Sequence, residues 1–367
     1  MSLRRLLIAA LAVALCGQVG RAQDKKDDAN KPEEKSFKSA DGVKLRGLFY
    51  KSAKGGSAPV IIMLHAYKAD PDDTKWDDTA RLLVQQGYNV FRFDFRGHGK
   101  STDIDPDVFW TFGDNKQYVK IPPGFTPATK NTINFKEFSP AYYPMLVQDI
   151  AAARSTLDMM NDNGEVNTST IYLLGAGDAV SLGIFYAASE WYREGKKPNV
   201  ALAANVVSRN RLLFPDAEPA GQDIGGGIWL GPTFQGTKFT TEILKGIVLS
   251  QYAIKMRNET PMLFISGSKD NDGKKTGNAI FNTVLMANAK IYNGIKLLRP
   301  EQTFVKEIKD SDARGTKLLG NNIGTEKMIE DFLTAVSKER KDRPRKQRGW
   351  EKPMYIDINS FGVMRGN

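Results

Sequence analysis

The run Pro59-Val60-Ile61-Ile62-Met63-Leu64 carries no charged side chain and ends after six residues. A continuous apolar run of strand length reads as a strand covered on both faces, which requires a sheet with a layer on each side. The next segments have the matching pattern. Trp76, Ala80, Leu83 and Val84 fall at helical spacing before Gly87, and Asn89–Asp94 is again strand-like. The alternation continues with helices over 143–160, 179–193, 242–257, 276–287 and 325–338. Between them lie strands over 170–174, 224–230, 261–266 and 303–308. Such βαβ units predict one mostly parallel sheet with helices on both faces. Two β-prone runs flank Ala40-Asp41-Gly42, and the second, Val43–Tyr50, alternates apolar and polar residues, so an opening hairpin adds an antiparallel edge. With 367 residues, 41% of them hydrophobic, the chain can bury one large α/β core or two small ones.

Two stretches interrupt the alternation. Residues 101–142 carry Phe109, Trp110, Phe112, Tyr118, Pro122, Pro123 and Phe125 where a short loop would suffice, and 196–222 form a second excursion. Both are expected to form a lid over the C-terminal edge of the sheet. The ends read differently. Arg4 and Arg5 precede the apolar run Leu6–Leu15 and the small-residue site Gly20-Arg21-Ala22, the pattern of a signal peptide over 1–22. Export to the periplasm or outside the cell is expected, by the general or the twin-arginine route. Cleavage after Ala22 removes three arginines, taking the formal net charge from +10 to +7, and removes Cys16, the single cysteine. No disulfide or thiolate metal cluster is then available. Residues 23–36 are charged and read as a disordered spacer, 37–340 as the domain, and 341–367 as a basic tail.

Ordered pieces of the chain resemble the α/β-hydrolase superfamily of esterases, lipases and serine aminopeptidases, from about Lys38 to Ser337. Asp41-Gly42-Val43-Lys44-Leu45-Arg46-Gly47 resembles its opening hairpin, and Met63-Leu64-His65-Ala66-Tyr67 its oxyanion-loop segment. Asp94-Phe95-Arg96-Gly97-His98-Gly99-Lys100-Ser101 is similar to its turn after the following strand. Ile171-Tyr172-Leu173-Leu174-Gly175-Ala176-Gly177-Asp178-Ala179 sits where the nucleophile elbow belongs. Met262–Asp270 resembles the strand and loop that present the acid, and Asp312-Ala313-Arg314-Gly315-Thr316 the loop that presents the histidine. The resemblance implies an α/β-hydrolase fold and a triad in the order serine, acid, histidine. At those positions stand Gly177, Asp270 (or Asp272) and Arg314. Glycine has no side chain with which to form a covalent intermediate, and arginine is not deprotonated at any useful pH, so it cannot be a general base. The oxyanion-hole donors would be the backbone N–H groups of Tyr67 and Asp178, which need no particular side chain. A pseudoenzyme with a degenerate triad, binding a ligand or serving a structural role, is the expectation. The alternative is a weak or atypical esterase or peptidase working through Asp178, Asp270 or a group of the substrate.

The remaining candidates have plainer roles. His65 and His98, the two histidines of the chain, precede the elbow and match no base position; both are expected to brace loops. Asp178 lies one residue beyond the nucleophile position and suits a helix start, where a carboxylate meets the helix dipole. Ser181, one turn on, is expected to pack or to bond back to the backbone. Lys269-Asp270-Asn271-Asp272-Gly273 hints at a calcium loop, but Ser268 and Ala279 fail its first and twelfth positions. Asp70, Asp72, Asp73, Asp77 and Asp78 cluster at a helix start, so neither a metal nor any other cofactor is implied. Arg314 is expected to face Asp270, plugging the pocket or charging it for an anionic ligand. Lys338–Lys352 holds eight Lys or Arg against three acids, a solvated tail or a patch for an anionic surface. Specific nucleic-acid binding is not expected, because no stacking aromatics accompany the charge. Trp350, Tyr355 and Phe361 are expected to dock the last residues on the domain. The partner implied is a small-molecule or polymer ligand in the pocket at the C-terminal edge.

Overall fold

A computed structural model of the chain describes residues 31–195, 220–234, 237, 239–248, 255–285, 303–320, 322–340, 343–348 and 355–358. The chain divides into two compact units, Met1–Glu33 and Glu34–Asn367. The expected signal peptide and residues 196–219 of the second excursion lie outside the described residues.

Eight strands make one sheet: β1 (Glu33–Lys38), β2 (Lys44–Tyr50), β3 (Pro59–Leu64), β4 (Asn89–Phe93), β5 (Asn167–Ala176), β6 (Ile224–Leu230), β7 (Met262–Gly267) and β8 (Thr303–Ile308). Their spatial order is β1-β2-β4-β3-β5-β6-β7-β8. β2 runs antiparallel to β4, and from β4 onward every neighbouring pair is parallel. The principal helices are α1 (Thr74–Gln85), α2 (Val147–Asp162), α3 (Ala179–Gly195), α4 (Thr241–Val248), α5 (Asn271–Ala279) and α6 (Thr325–Arg340).

The apolar run that opened the sequence reading explains the layering. Val60, Ile62 and Leu64 pack on one side with residues of α2, α3 and α4. Ile61 and Met63 pack on the other with Trp76, Leu83, Ile329 and Phe332 of α1 and α6. Successive strand residues face opposite sides, so a strand covered twice needs apolar residues throughout.

Several boundaries differ from the sequence reading. β1 begins at Glu33, inside the expected spacer. Only Phe37 of its side chains is buried, and the charged remainder suits an edge strand that must not recruit another chain. The helix expected from 143 starts as a 3-10 turn, Pro140–Leu146, because Pro144 cannot donate to a regular α-helical ladder. The helix expected over 276–287 starts at Asn271, where the Asp270 side chain caps it by accepting from the Gly273 N–H at 3.1 Å. Over 242–257 the described residues hold α4 and a short helical turn, Lys255–Glu259.

Residues 101–142 are tightly built into the domain. Phe109, Trp110, Val119, Ile133 and Phe138 join the core on the α2–α3 side. Ile104 bridges to Val43, and the Phe135 N–H donates to the Gly97 carbonyl at 3.1 Å, so the segment sits beside the C-terminal end of β4.

In the basic tail, Pro344 to Gln347 are exposed, as a solvated tail would be, while several arginines also reach the domain. Arg345 donates to the Asn161 carbonyl at 2.5 Å and Arg343 to the Gln222 carbonyl at 3.2 Å. Arg348 pairs with Asp223 at 3.1 Å and reaches Ser169 at 3.2 Å. Arg343, Arg345 and Arg348 thus each touch the N-terminal edge of the sheet while Arg345 stays exposed. Tyr355 packs against Phe112 with ring centroids 5.0 Å apart, as the docking expectation requires, while Trp350 and Phe361 lie outside the described residues.

Candidate functional site

The loops after β3, β4, β5, β6, β7 and β8 converge at the C-terminal edge of the sheet. β5 passes into α3 through a two-residue turn, Gly177-Asp178. Gly177 has φ +60°, in the left-handed region that glycine enters without a Cβ penalty. Its N–H donates to the Leu230 carbonyl at 2.8 Å, and its carbonyl accepts from Thr233 N–H at 3.2 Å. A Cβ here would lie 3.1 Å from the Ala66 Cβ and 3.9 Å from the Thr233 Cγ2, so those two methyls border the position. The sharp strand-to-helix turn is present at the residue the sequence indicated, with no side chain on it.

Tyr67 and Asp178 meet, but not as two free donors. The Tyr67 N–H donates to the Asp178 Oδ1 at 2.8 Å, and the backbone N–H groups of Asp178 and Ala179 also face that carboxylate. The Tyr67 N–H, one of the two donors expected of an oxyanion hole, is thus taken by the Asp178 side chain of the same chain. Burial is the dominant influence on this carboxyl and, against those N–H bonds and Lys68, pushes it up to about 7. Ser181 bonds back to the Asp178 carbonyl at 2.8 Å. Tyr143 lies close by, 2% exposed, and burial followed by the Asp178 charge holds its hydroxyl well above the ordinary tyrosine value, against a hydrogen bond with Ser181.

Arg314 stands across from Asp270. Its Nε is 2.8 Å from the Asp270 Oδ1, and its Nη1 is 2.9 Å from the Asp272 Oδ2. The expected ion pair forms, shared between the two acids rather than bidentate to one. Asp270 is 1% exposed, whereas the Arg314 and Asp272 side chains are 53% and 63% exposed. The outer half of this bridge is solvated and contributes little. Beside it opens a cleft of about 360 Å³, lined by Thr233, Phe234, Thr241, Asp272, Lys275 and Thr276 among others. Through Thr233 the cleft adjoins Gly177.

His65 and His98 brace the neighbouring loops. The Phe95 N–H donates to His65 Nε2 at 2.9 Å, and the Lys68 N–H to His98 Nε2 at 3.1 Å. Each ring therefore carries its proton on Nδ1, which donates to the Ala66 and Arg96 carbonyls respectively, each at 2.9 Å. Burial pushes His65 down to about 3 and His98 down to about 4, so both are neutral at neutral pH. The acidic cluster is likewise committed. Asp73 caps α1, Asp72 pairs with Arg46 at 2.9 Å, and Asp77 pairs with Arg81 at 2.8 Å.

Sequence reasoning missed the residue that anchors this edge. Arg96 is fully buried between Asp41 at 2.6 Å and Asp149 at 2.7 Å, with the Tyr142 hydroxyl at 2.9 Å. Asn115 joins the cluster by donating to Asp41 at 3.1 Å. Its one sequence signal was the Arg96-Gly97-His98-Gly99 turn. The partners lie 46 to 55 positions away, beyond the reach of local pattern.

The strand order, the antiparallel β2 and the turn from β5 into α3 define the α/β-hydrolase fold. No family model matches the sequence. Over 64 residues, 17% of this chain, it is 38% identical to a bifunctional esterase/perhydrolase of Acinetobacter calcoaceticus. Over 66 residues it is 38% identical to a non-heme haloperoxidase of Rhodococcus erythropolis. The match spans only 21% and 22% of the length of these curated relatives. Among solved structures, an esterase of Pyrococcus furiosus matches over 84% of this chain and 92% of its own at a TM-score of 0.44 and 16% identity. Dienelactone hydrolase from Anabaena variabilis matches over 84% and 98% at 0.42 and 12%.

Proposed function

We propose that this α/β-hydrolase-fold protein is a pseudoenzyme that binds a ligand at the C-terminal edge without turning it over. The observation that carries this reading is the elbow: a bare Gly177 at the turn, with Asp178 occupying the Tyr67 N–H beside it. A hydrolase of this fold needs an attacking oxygen, a base to take its proton and free donors for the developing charge. Arg314, held by Asp270 and Asp272, can take no proton, and the two imidazoles have both nitrogens engaged by backbone groups. The test is hydrolysis of an activated phenyl ester by the purified protein. No turnover above the buffer rate is expected. Turnover that disappears in Asp178→Ala or Asp270→Ala would overturn the reading. Gly177→Ser combined with Arg314→His tests the alignment, since gain of esterase activity would show that only those two groups are missing.

One observation favours the alternative of a weak esterase or peptidase. The Asp178 carboxyl, raised by burial to about 7, is poised as an acid or base near neutral pH. In that case activity would follow a single titration near that value.

The leader-like residues 1–22 support a further part of the proposal, that the protein is exported. Fractionation of expressing cells, with N-terminal sequencing of the product, would show cleavage near Ala22 or refute it.

A further inference from the structure

Residues 101–142 are built into the domain, yet their tip turns apolar side chains outward. Its foot forms where Val119 bridges Phe138 and the Lys120 N–H donates to the Glu137 carbonyl at 3.0 Å. Beyond that foot, residues 123–129 are all exposed. Phe125, at 54% exposure, is with Met159 one of the two large hydrophobic side chains that the described residues leave to solvent. Over 121–128 only Gly124 and Thr126 interrupt apolar side chains. The backbone fixes this display. The Phe125 N–H donates to the Pro122 carbonyl at 3.2 Å across Pro123 and Gly124, the latter at φ +87°. In such a turn proline presets the second position and glycine supplies the left-handed third. The Thr126 N–H donates to Thr129 Oγ1 at 2.9 Å, and the Thr129 and Lys130 N–H groups donate to the Thr126 carbonyl at 3.1 and 2.9 Å. Pro122, Pro123 and Pro127 have no N–H, so the tip carries few donors that water must satisfy.

The charge along this excursion has one sign. Between Asp114 and Glu137 stand Lys116, Lys120, Lys130 and Lys136, and no acid. Lys130 is buried, pairs with Glu137 at 2.9 Å and lies 5.9 Å from the centre of the Phe125 ring, so Glu137 is spent within the foot. Asp103 stands opposite Thr132 on the neighbouring stretch. Lys116, Lys120 and Lys136 are exposed. We propose that residues 121–129 dock the protein on an anionic lipid bilayer. Phe125 and the prolines would enter the boundary between headgroups and acyl chains, with the three exposed lysines behind them at the level of the phosphates. A bilayer asks for apolar side chains ahead of cations, in that order of depth. A protein partner reading this tip would draw on its backbone donors, which the loop has largely used on itself. The inference stands whether or not the elbow reacts, since none of these residues belongs to the turn at Gly177 or to the Asp270–Arg314 pair.

Co-sedimentation with vesicles tests it, comparing pure phosphatidylcholine with a mixture containing about one-third phosphatidylglycerol. Phe125→Ser should weaken binding to the anionic vesicles about tenfold. Lys116→Gln, Lys120→Gln and Lys136→Gln should each weaken it about fivefold, and leave binding to the neutral vesicles unchanged. Met159→Ser, at the other exposed apolar side chain, should have no effect. The apolar run at residues 6–15 is common to all these chains, so it cancels in the comparison. A polarity-sensitive dye then locates the contact: attached at Phe125→Cys in a Cys16→Ser background, it should shift to the blue on anionic vesicles. Failure of the wild-type chain to prefer the anionic vesicles would overturn the proposal. Equal binding by wild type and Phe125→Ser would do the same, as would a loss of the same size in Met159→Ser. A dye whose emission stays that of water while the vesicles carry the protein down would show that another part of the chain makes the contact.

Discussion

The two halves of the C-terminal edge are held in different ways. On the side of β3 and β4, buried side chains fix the loops: His65 and His98 each join a carbonyl to an N–H, and Arg96 gathers Asp41, Asp149 and Tyr142. On the side of β6, β7 and β8, backbone packs directly on backbone, and the Arg314 and Asp272 side chains stand half in solvent around the buried Asp270. Gly231, at φ +51°, is the clearest instance, since a Cβ there would lie 2.7 Å from the Gly315 nitrogen. The contrast teaches that the scaffold and the chemistry of this fold are separable. The first half keeps the loops in place whatever stands at the turn after β5, so the residues at 177 and 314 are not what holds the fold together.

Four experiments press on that contrast. Arg96→Ala, which leaves Asp41 and Asp149 buried without their cation, should cost about 3–5 kcal/mol in denaturant unfolding. A loss under about 1 kcal/mol would mean that the buried cluster does not anchor this side. Gly231→Ala should cost about 1–3 kcal/mol, from the left-handed backbone and the clash with Gly315. A neutral result there would deny the backbone-packing account of the other half. Arg314→Ala should lower stability by only about 1 kcal/mol, because its bridge is half solvated; a loss as large as that of Arg96→Ala would erase the contrast.

The pH dependence is the subtlest effect at neutral pH. His65 and His98 are held in the fold below the ordinary histidine value of 6.5, so the unfolded chain binds more protons there. Their contribution is complete above that value and is lost as pH falls through it toward 4. Asp178 works in the opposite sense: raised to about 7, it favours the fold below the ordinary carboxylate range and loses that advantage as pH rises through 7. Melting temperatures across this range should therefore fall on the acid side. The acid-side slope should be shallower in His98→Gln and steeper in Asp178→Asn, because Asp178 gains between the ordinary carboxylate range and about 7 what the histidines lose there. Unchanged slopes in both variants would remove these groups from the account.

Most of the architecture was legible from local pattern. β6 and β8 span the residues expected of them, and His65 and His98 brace loops as their place before the elbow implied. The spacer boundary was misread because a charged edge strand and a disordered segment have the same composition; only the pairing that buries Phe37 separates them. The tail's contacts were illegible for a related reason. A run of arginines has the same charge whether it faces solvent or the carbonyls of Asn161 and Gln222.

By itself the sequence determined the alternation of strands and helices and which residue types stand at the turn after β5 and in the loop after β7. These depend on period and residue type, which are local. The tertiary structure alone decided that Asp178 folds back onto the Tyr67 N–H, that Arg314 spans Asp270 and Asp272, and that Arg96 sits between two acids. Each of those joins groups tens to over a hundred positions apart, and hydrogen bonds of under 3 Å depend on where the sheet brings the loops, which no stretch of chain encodes alone.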